Sequence, residues 1–250
     1  QELTFCETKK EFQKRNITLE RPQMKTLGII NQDGIYTNLA LLLSDQCVHT
    51  IKTAVFEGKN QNIFKDRKEF TGSLFAQMEA VYDYIDFRNQ THSTFEKLYR
   101  IDNRDYPEVA VREALLNCLV HRDYGYSSSI LISMYEDRLE FTSIGGLVTG
   151  VTLEDVMMGI SVCRNKRLAN VFYRLELIEA YGTGIQKIMN AYQDQFIKPE
   201  IKVSNNVFKI ILPNTNAQAE LREELQYHTH IQPEDEETQI MQMIDQEKRI

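Results

Sequence analysis

The sequence predicts an α/β protein: a two-layer α/β sandwich whose mixed sheet carries its helices on one face, preceded by a smaller α/β segment. Three observations predict it. Between residues 95 and 213, five strand-like runs and three helix-like runs follow one another in an order that suits a single covered sheet. The helix-like runs carry apolar stripes on one side only. Apolar residues make up 42% of the 250-residue chain, enough to build a core.

Residues 1–94 read as the smaller segment. KTLGIINQDGIYTN suggests a short hairpin turning at Asp33-Gly34, a strong turn signal. LALLLSD is an apolar run that suits either a buried helix or a strand. HTIKTAVFEG has strand composition. A helix follows from about Ser73, with Phe75, Met78, Val81, Tyr82 and Ile85 on its inner side.

Residues 95–213 read as the sandwich. FEKLYRI is a candidate strand. Pro107 suits the first turn of a helix, where its missing N–H costs nothing. Ala110, Ala114, Leu115, Cys118 and Leu119 form that helix's apolar stripe. SSILISMYEDRLEFTS gives two strands joined at Glu136-Asp137, and GGLVTG is a loop. A helix over residues 166–180 turns Leu168, Val171, Phe172, Leu175 and Ile178 inward. YGTG breaks it, IQKIMNAYQDQ is a further helix, and PEIKVSNNVFKIILP closes the unit as a hairpin around Asn205-Asn206. Residues 214–237, polar and acidic, read as a linker.

Net charge is −7, so the chain as a whole has no electrostatic footprint for a phosphate backbone. Cys6, Cys47, Cys118 and Cys163 form no CxxC pair, which speaks against structural zinc and fits a reducing cytoplasm. No apolar run approaches 18 residues, so no membrane span or partner is expected. The chain starts at QELTF and stops at TQIMQMIDQEKRI, where Ile240, Met243 and Ile244 begin a helical stripe. That pattern predicts a piece of a longer protein.

REALLNCLVHRDYG places Glu113, Asn117 and His121 four residues apart, on one edge of a helix. A carboxylate there can take a proton from water, and an amide oxygen suits Mg²⁺, which prefers hard oxygen ligands. The same spacing also fits a solvated polar edge. His121 suits a proton-transfer group or phosphate contact; it also suits a helix-end cap beside Arg122. Gly145-Gly146 follows a strand, and Gly182 and Gly184 precede a helix. Glycines so placed let backbone N–H groups approach a phosphate, though many merely end helices.

The order EALLN, IGGL, SVCRNKRLANVFYRLELIEAYGTGI resembles the divergent GHKL-type ATPase module, the Bergerat fold. It is closer still to the version in bacterial proteins labelled RecG-like helicase C-terminal or putative transcriptional regulators. That resemblance implies ATP and Mg²⁺ as ligands. It implies Glu113 as the water-activating acid, Asn117 as the Mg²⁺-binding amide, and Gly182 and Gly184 as phosphate-side glycines, with Gly145-Gly146 as the first glycine motif. Asn165 falls in the segment resembling the lid, and Arg164 beside it suits a phosphate oxygen. It also implies an N-terminal DNA-binding domain and a winged helix-turn-helix beginning at residues 238–250, so DNA is met through domains outside this chain. Active GHKL enzymes place an Asp before the first glycine motif; here Ser143 and Ile144 precede it. A site lacking that acceptor loses its specific reading of adenine. No GxxxxGK[ST] loop occurs. The reading is a degenerate ATP-binding module of a regulator, with an active Mg²⁺-ATPase and a ligand-free dimerisation scaffold as alternatives.

Overall fold

The computed structural model describes residues 2–179 and 181–217. Three helices open the chain: α1 (Cys6–Lys14), α2 (Arg21–Thr26) and α3 (Asn38–Leu43). The turn expected at Asp33-Gly34 closes a single bridge, Ile30 to Tyr36, because the chain enters α3 before a ladder can form. LALLLSD supplies α3, with Leu39, Ala40, Leu42 and Leu43 buried.

Strands β1 (Ile51–Phe56) and β2 (Phe64–Phe70) pair antiparallel. FKDRKEF has no apolar face and gave no strand signal. As an edge strand it needs none, and its Lys and Arg residues discourage further pairing. Helix α4 (Leu74–Arg88) starts where Ser73 Oγ accepts the Ala76 N–H at 3.2 Å. Phe75, Val81 and Ile85 are buried on it, Met78 and Tyr82 half-buried.

FEKLYRI is not one strand. It is the tip of a hairpin, β3 (Thr91–Glu96) and β4 (Tyr99–Arg104), turning at Lys97 with φ +56°. Helix α5 (Glu108–His121) follows, with Pro107 as its N-cap, one position before the first turn. Its expected stripe is buried, and so are Val111, Leu116 and Val120. The helix is therefore apolar on most of its circumference, and its polar edge is narrow.

Strands β5 (Ile130–Met134) and β6 (Arg138–Ile144) turn where Tyr135 N–H donates to Arg138 O at 2.8 Å. The following loop holds a short helix, α6 (Leu153–Met157), set by a reciprocal cap between Thr152 and Asp155. Helix α7 (Lys166–Arg174) is shorter than the expected 166–180, because Glu176 takes φ +57° and ends it. Helix α8 (Gly184–Asn190) and the hairpin β7 (Glu200–Val203) and β8 (Val207–Pro213) complete the order. Residues 215–217 are helical, with Asn214 Oδ1 accepting the N–H groups of Asn216 (2.9 Å) and Ala217 (3.2 Å). The rest of the expected linker, and residues 238–250, lie outside the described residues.

The main sheet has six strands in the order β2-β1-β5-β6-β8-β7. Only β1–β5 is parallel. β1 and β2 come from before residue 94, so the sheet runs straight across the 94/95 boundary read from the sequence. Ile51, Ile130, Ile132, Leu139, Phe141, Ile210 and Leu212 point to one face and are buried under the helices. The opposite face carries Lys52, Leu131, Thr142 and Lys209. This is the two-layer α/β sandwich with helices on one face. No helix among the described residues is long and apolar enough to cross a membrane.

Candidate functional site: a cleft between α5, α8 and the 147–163 arch

The narrow polar edge of α5 does not face bulk water. It forms one wall of a cleft of about 420 Å³. Helix α8 and the loop before it form a second wall. The chain between β6 and α7 arches over as a third, with Leu147, Val148, Val151, Val156 and Ile160 giving an apolar lining. Glu113, Asn117, Gly145, Gly146, Arg164, Gly182 and Gly184 all border this space. Such a cleft, mostly apolar with a few convergent polar groups, is the usual form of a small-molecule site.

Glu113 and the 182–184 loop meet. A β-carbon on Gly184 would lie 3.0 Å from Glu113 Oε2. The other oxygen, Oε1, accepts from Arg112 Nη1 at 2.6 Å, while Arg112 Nη2 donates to Leu177 O at 2.6 Å. Arg112 thus holds the carboxylate against the loop that follows α7. Asn117 has no hydrogen bond among the described residues, so its amide is free toward the cleft.

The glycines have more than one reason to be glycine. A β-carbon on Gly146 would lie 2.3 Å from Ser204 O and 2.6 Å from Asn205 O. One on Gly182, at φ +68°, would lie 2.3 Å from Gly159 O. One on Gly145, at φ +110°, would meet the Asp123 N and Cβ at 3.0 Å each. These three are imposed by the protein's own backbone packing. Gly184 alone of the four is bare because a carboxylate stands opposite. Helix α8 is short, so its dipole adds little.

Arg164 is already paired. Its Nη1 meets Asp123 Oδ2 at 3.0 Å and its Nη2 donates to Gly146 O at 2.9 Å. Asn165 does not border the cleft. Its Nδ2 donates to Val120 O (2.9 Å) and Arg122 O (2.6 Å), closing the C-terminal carbonyls of α5. His121 and Arg122 separate: His121 borders the cleft, whereas Arg122 turns into the core. Burial, and then the Arg164 guanidinium, holds His121 below the ordinary histidine value. Tyr124 packs edge-on against His49 at 5.1 Å and donates to Leu119 O, so it is a packing residue. Burial pushes the Cys118 thiol up to about 12, consistent with a small core residue.

Sequence reasoning missed several cleft residues. Lys166 borders it with no ion-pair partner among the described residues. Lys187 pairs with Glu179 at 2.8 Å, and Thr183 Oγ1 donates to the same carboxylate at 3.0 Å. Arg112 sits beside Glu113 in the sequence, and that adjacency was a readable signal. Asp123 was not readable, because its ion-pair partner Arg164 lies 41 residues away. Among the described residues no three His, Cys, Asp or Glu side chains converge on a metal position. One carboxylate and one amide on a helix edge nevertheless suit Mg²⁺, which keeps several waters and takes few protein ligands.

Residues 127–212 match the family described as "Putative ATP-dependent DNA helicase recG C-terminal". The divergent GHKL, RecG-like resemblance read from the sequence is thereby supported over that segment. Glu113 and Asn117 lie just outside the matched residues. No curated protein is similar to the chain at a significant level. Among solved structures, the DIP2311 protein from Corynebacterium diphtheriae is similar with a TM-score of 0.74 and 21% identity, over 84% of this chain and 44% of that one. That likeness shows the fold, and this chain spans less than half the length of that protein.

Two histidines, buried His49 and half-buried His121, set a pH dependence. His49 is also held low, by burial first and then by Arg122. Both rings thus take up protons less readily in the fold than in the unfolded chain. The stability they contribute is therefore present above about pH 6.5, the unfolded value, and is lost as pH falls through their lower folded values. The melting temperature is expected to hold between pH 8 and 7 and to fall below about 6.5. His121→Gln should shrink that fall, as scanning calorimetry in matched buffers would register.

Proposed function

We propose that this chain is the nucleotide-responsive part of a bacterial, cytoplasmic, DNA-binding transcriptional regulator, with the α5–α8 cleft as a degenerate ATP site. The observation that carries the reading is the approach of the Glu113 carboxylate to Gly184 across an otherwise open cleft. The family match and the ATP and Mg²⁺ chemistry that goes with it support the choice of ligand. Asn117 would hold the ion, which would offset phosphate charge. The 182–184 loop and Lys166 would meet the phosphates, and the apolar arch would cover the base. Ser143 is 2% exposed on the helix-covered face of the sheet and does not border the cleft, so it does not replace the missing Asp, and weak base discrimination is expected. DNA would be met by domains outside this chain, with nucleotide biasing their arrangement.

Mg·ATP at millimolar concentration should raise the melting temperature, since a ligand stabilises the state it binds. GTP should raise it to a similar degree. Asn117→Ala should abolish the difference between magnesium and EDTA while leaving the unliganded melting temperature nearly unchanged. A melting temperature that ignores every nucleotide sinks the proposal and favours a ligand-free scaffold. The active-enzyme reading draws on the same placement of Glu113. Phosphate release that Glu113→Ala lowers by about 10²–10⁴-fold would establish it.

A further inference from the structure

The β3–β4 ribbon takes no part in the cleft. Every residue of β4 except Arg104 is exposed, and so are the described side chains of β3. Only its foot is anchored. Arg104 bonds Asp86, Glu108 and the Asn89 carbonyl, and Thr215 Oγ1 donates to Arg104 O at 2.7 Å. A lone two-stranded ribbon is marginal in water. Yet this one holds Phe95, Leu98 and Tyr99 at 74%, 93% and 76% exposure, with Ile101 beside them. No proline or bulge blunts the edge of β4, a usual defence against pairing.

We infer that the β4 edge joins two copies of this chain, β4 antiparallel to β4, about a two-fold axis at Ile101. The charges, together with the occupied edge at Asn103 and Arg104, select this register. A two-fold axis through an antiparallel pair sets one residue opposite its own copy. Centred on Arg100 or on Asp102, the pair would oppose like charges directly. Centred on Ile101, it sets the two isoleucines together and places Arg100 opposite Asp102 of the partner subunit, twice over. Opposite-charge cross-strand pairs stabilise, and like-charge pairs do the reverse. Within each copy Arg100 Nε already bonds Asp102 Oδ1 at 2.6 Å, so pairing would give a closed ring of four alternating charges. The weak bond from Asn216 Nδ2 to Asn103 O, at 3.3 Å, marks where the free edge ends. The ribbon's alternating charges offer no basic stripe to a nucleic acid or an anionic membrane.

Sedimentation of the whole chain between 1 and 100 µM tests this. The wild type should be dimeric. Ile101→Lys should weaken association by about thirtyfold or more. Arg100→Asp alone and Asp102→Arg alone should both give monomers with unaltered far-UV circular dichroism. The double swap Arg100→Asp/Asp102→Arg should restore the dimer. A wild type that stays monomeric at 100 µM overturns the inference. So does a dimer indifferent to Ile101→Lys, or a double swap that fails to reassociate.

Discussion

Arg122→Ala is expected to destabilise the fold by about 3–5 kcal/mol, more than any substitution in the cleft. Arg122 is 1% exposed and has no ion-pair partner among the described residues. Its Nη2 donates to Ser128 O, to Tyr126 O at 3.3 Å and to His49 Nδ1 at 3.1 Å. Because the guanidinium can only donate, His49 accepts at Nδ1, in line with the lowering of its proton affinity by burial and by Arg122. The alanine variant leaves two carbonyls and a ring nitrogen without their donor, and leaves a hole where a long side chain was. For a chain of this length the loss corresponds to a melting temperature lower by roughly 6–20 °C. Arg122→Met keeps most of the volume, so its cost should fall between wild type and alanine. Urea titration of the three proteins measures the series. An alanine variant within 1 kcal/mol of wild type would show that the 126–128 turn finds other donors.

Gly182→Ala is expected to cost about 2–4 kcal/mol and to remove nucleotide-dependent stabilisation as well. The methyl group would lie 2.3 Å from Gly159 O, a backbone atom that cannot rotate away, and φ +68° adds strain for any side chain. The loop holding Gly159 must then retreat, and that loop is part of the cleft's roof. Gly184→Ala provides the contrast. Its backbone does not need glycine, and its methyl would meet only the Glu113 carboxylate, at 3.0 Å. The fold should survive it with little change, while the carboxylate shifts and ligand affinity drops. Melting curves of both variants with and without Mg·ATP separate the two roles. Equal loss of unliganded stability in both would refute the distinction.

Much of the fold was legible because local rules and burial agree. The capped helix at Ser73, the inward stripe of α5 and the hairpins at 136–137 and 205–206 each follow from short-range pattern. The elements that were not legible are those that lean on the rest of the molecule. FKDRKEF is a strand only because β1 offers it an edge. THSTFE and YRIDNR pair around Lys97 although neither buries a face. Helix α7 stops at a left-handed Glu176 that no glycine announced. The site divides the same way. Glu113, Asn117 and His121 were visible as one edge, since their spacing is local. The glycines were visible too, but the close approaches that fix Gly146 and Gly182 arise between segments tens of residues apart. Arg164 read as a contact for a phosphate oxygen because its partner Asp123 lies 41 residues away in sequence.

The bond from Arg164 to the Gly146 carbonyl, together with Asn165 on the end of α5, fastens both feet of the 147–163 arch to one rigid block. A strap buckled at both ends cannot peel from one side; it can only tilt about a line through its buckles. What can swing farthest is the α6 crown, where Met157 and Met158 stand in water and α6 rests against α8.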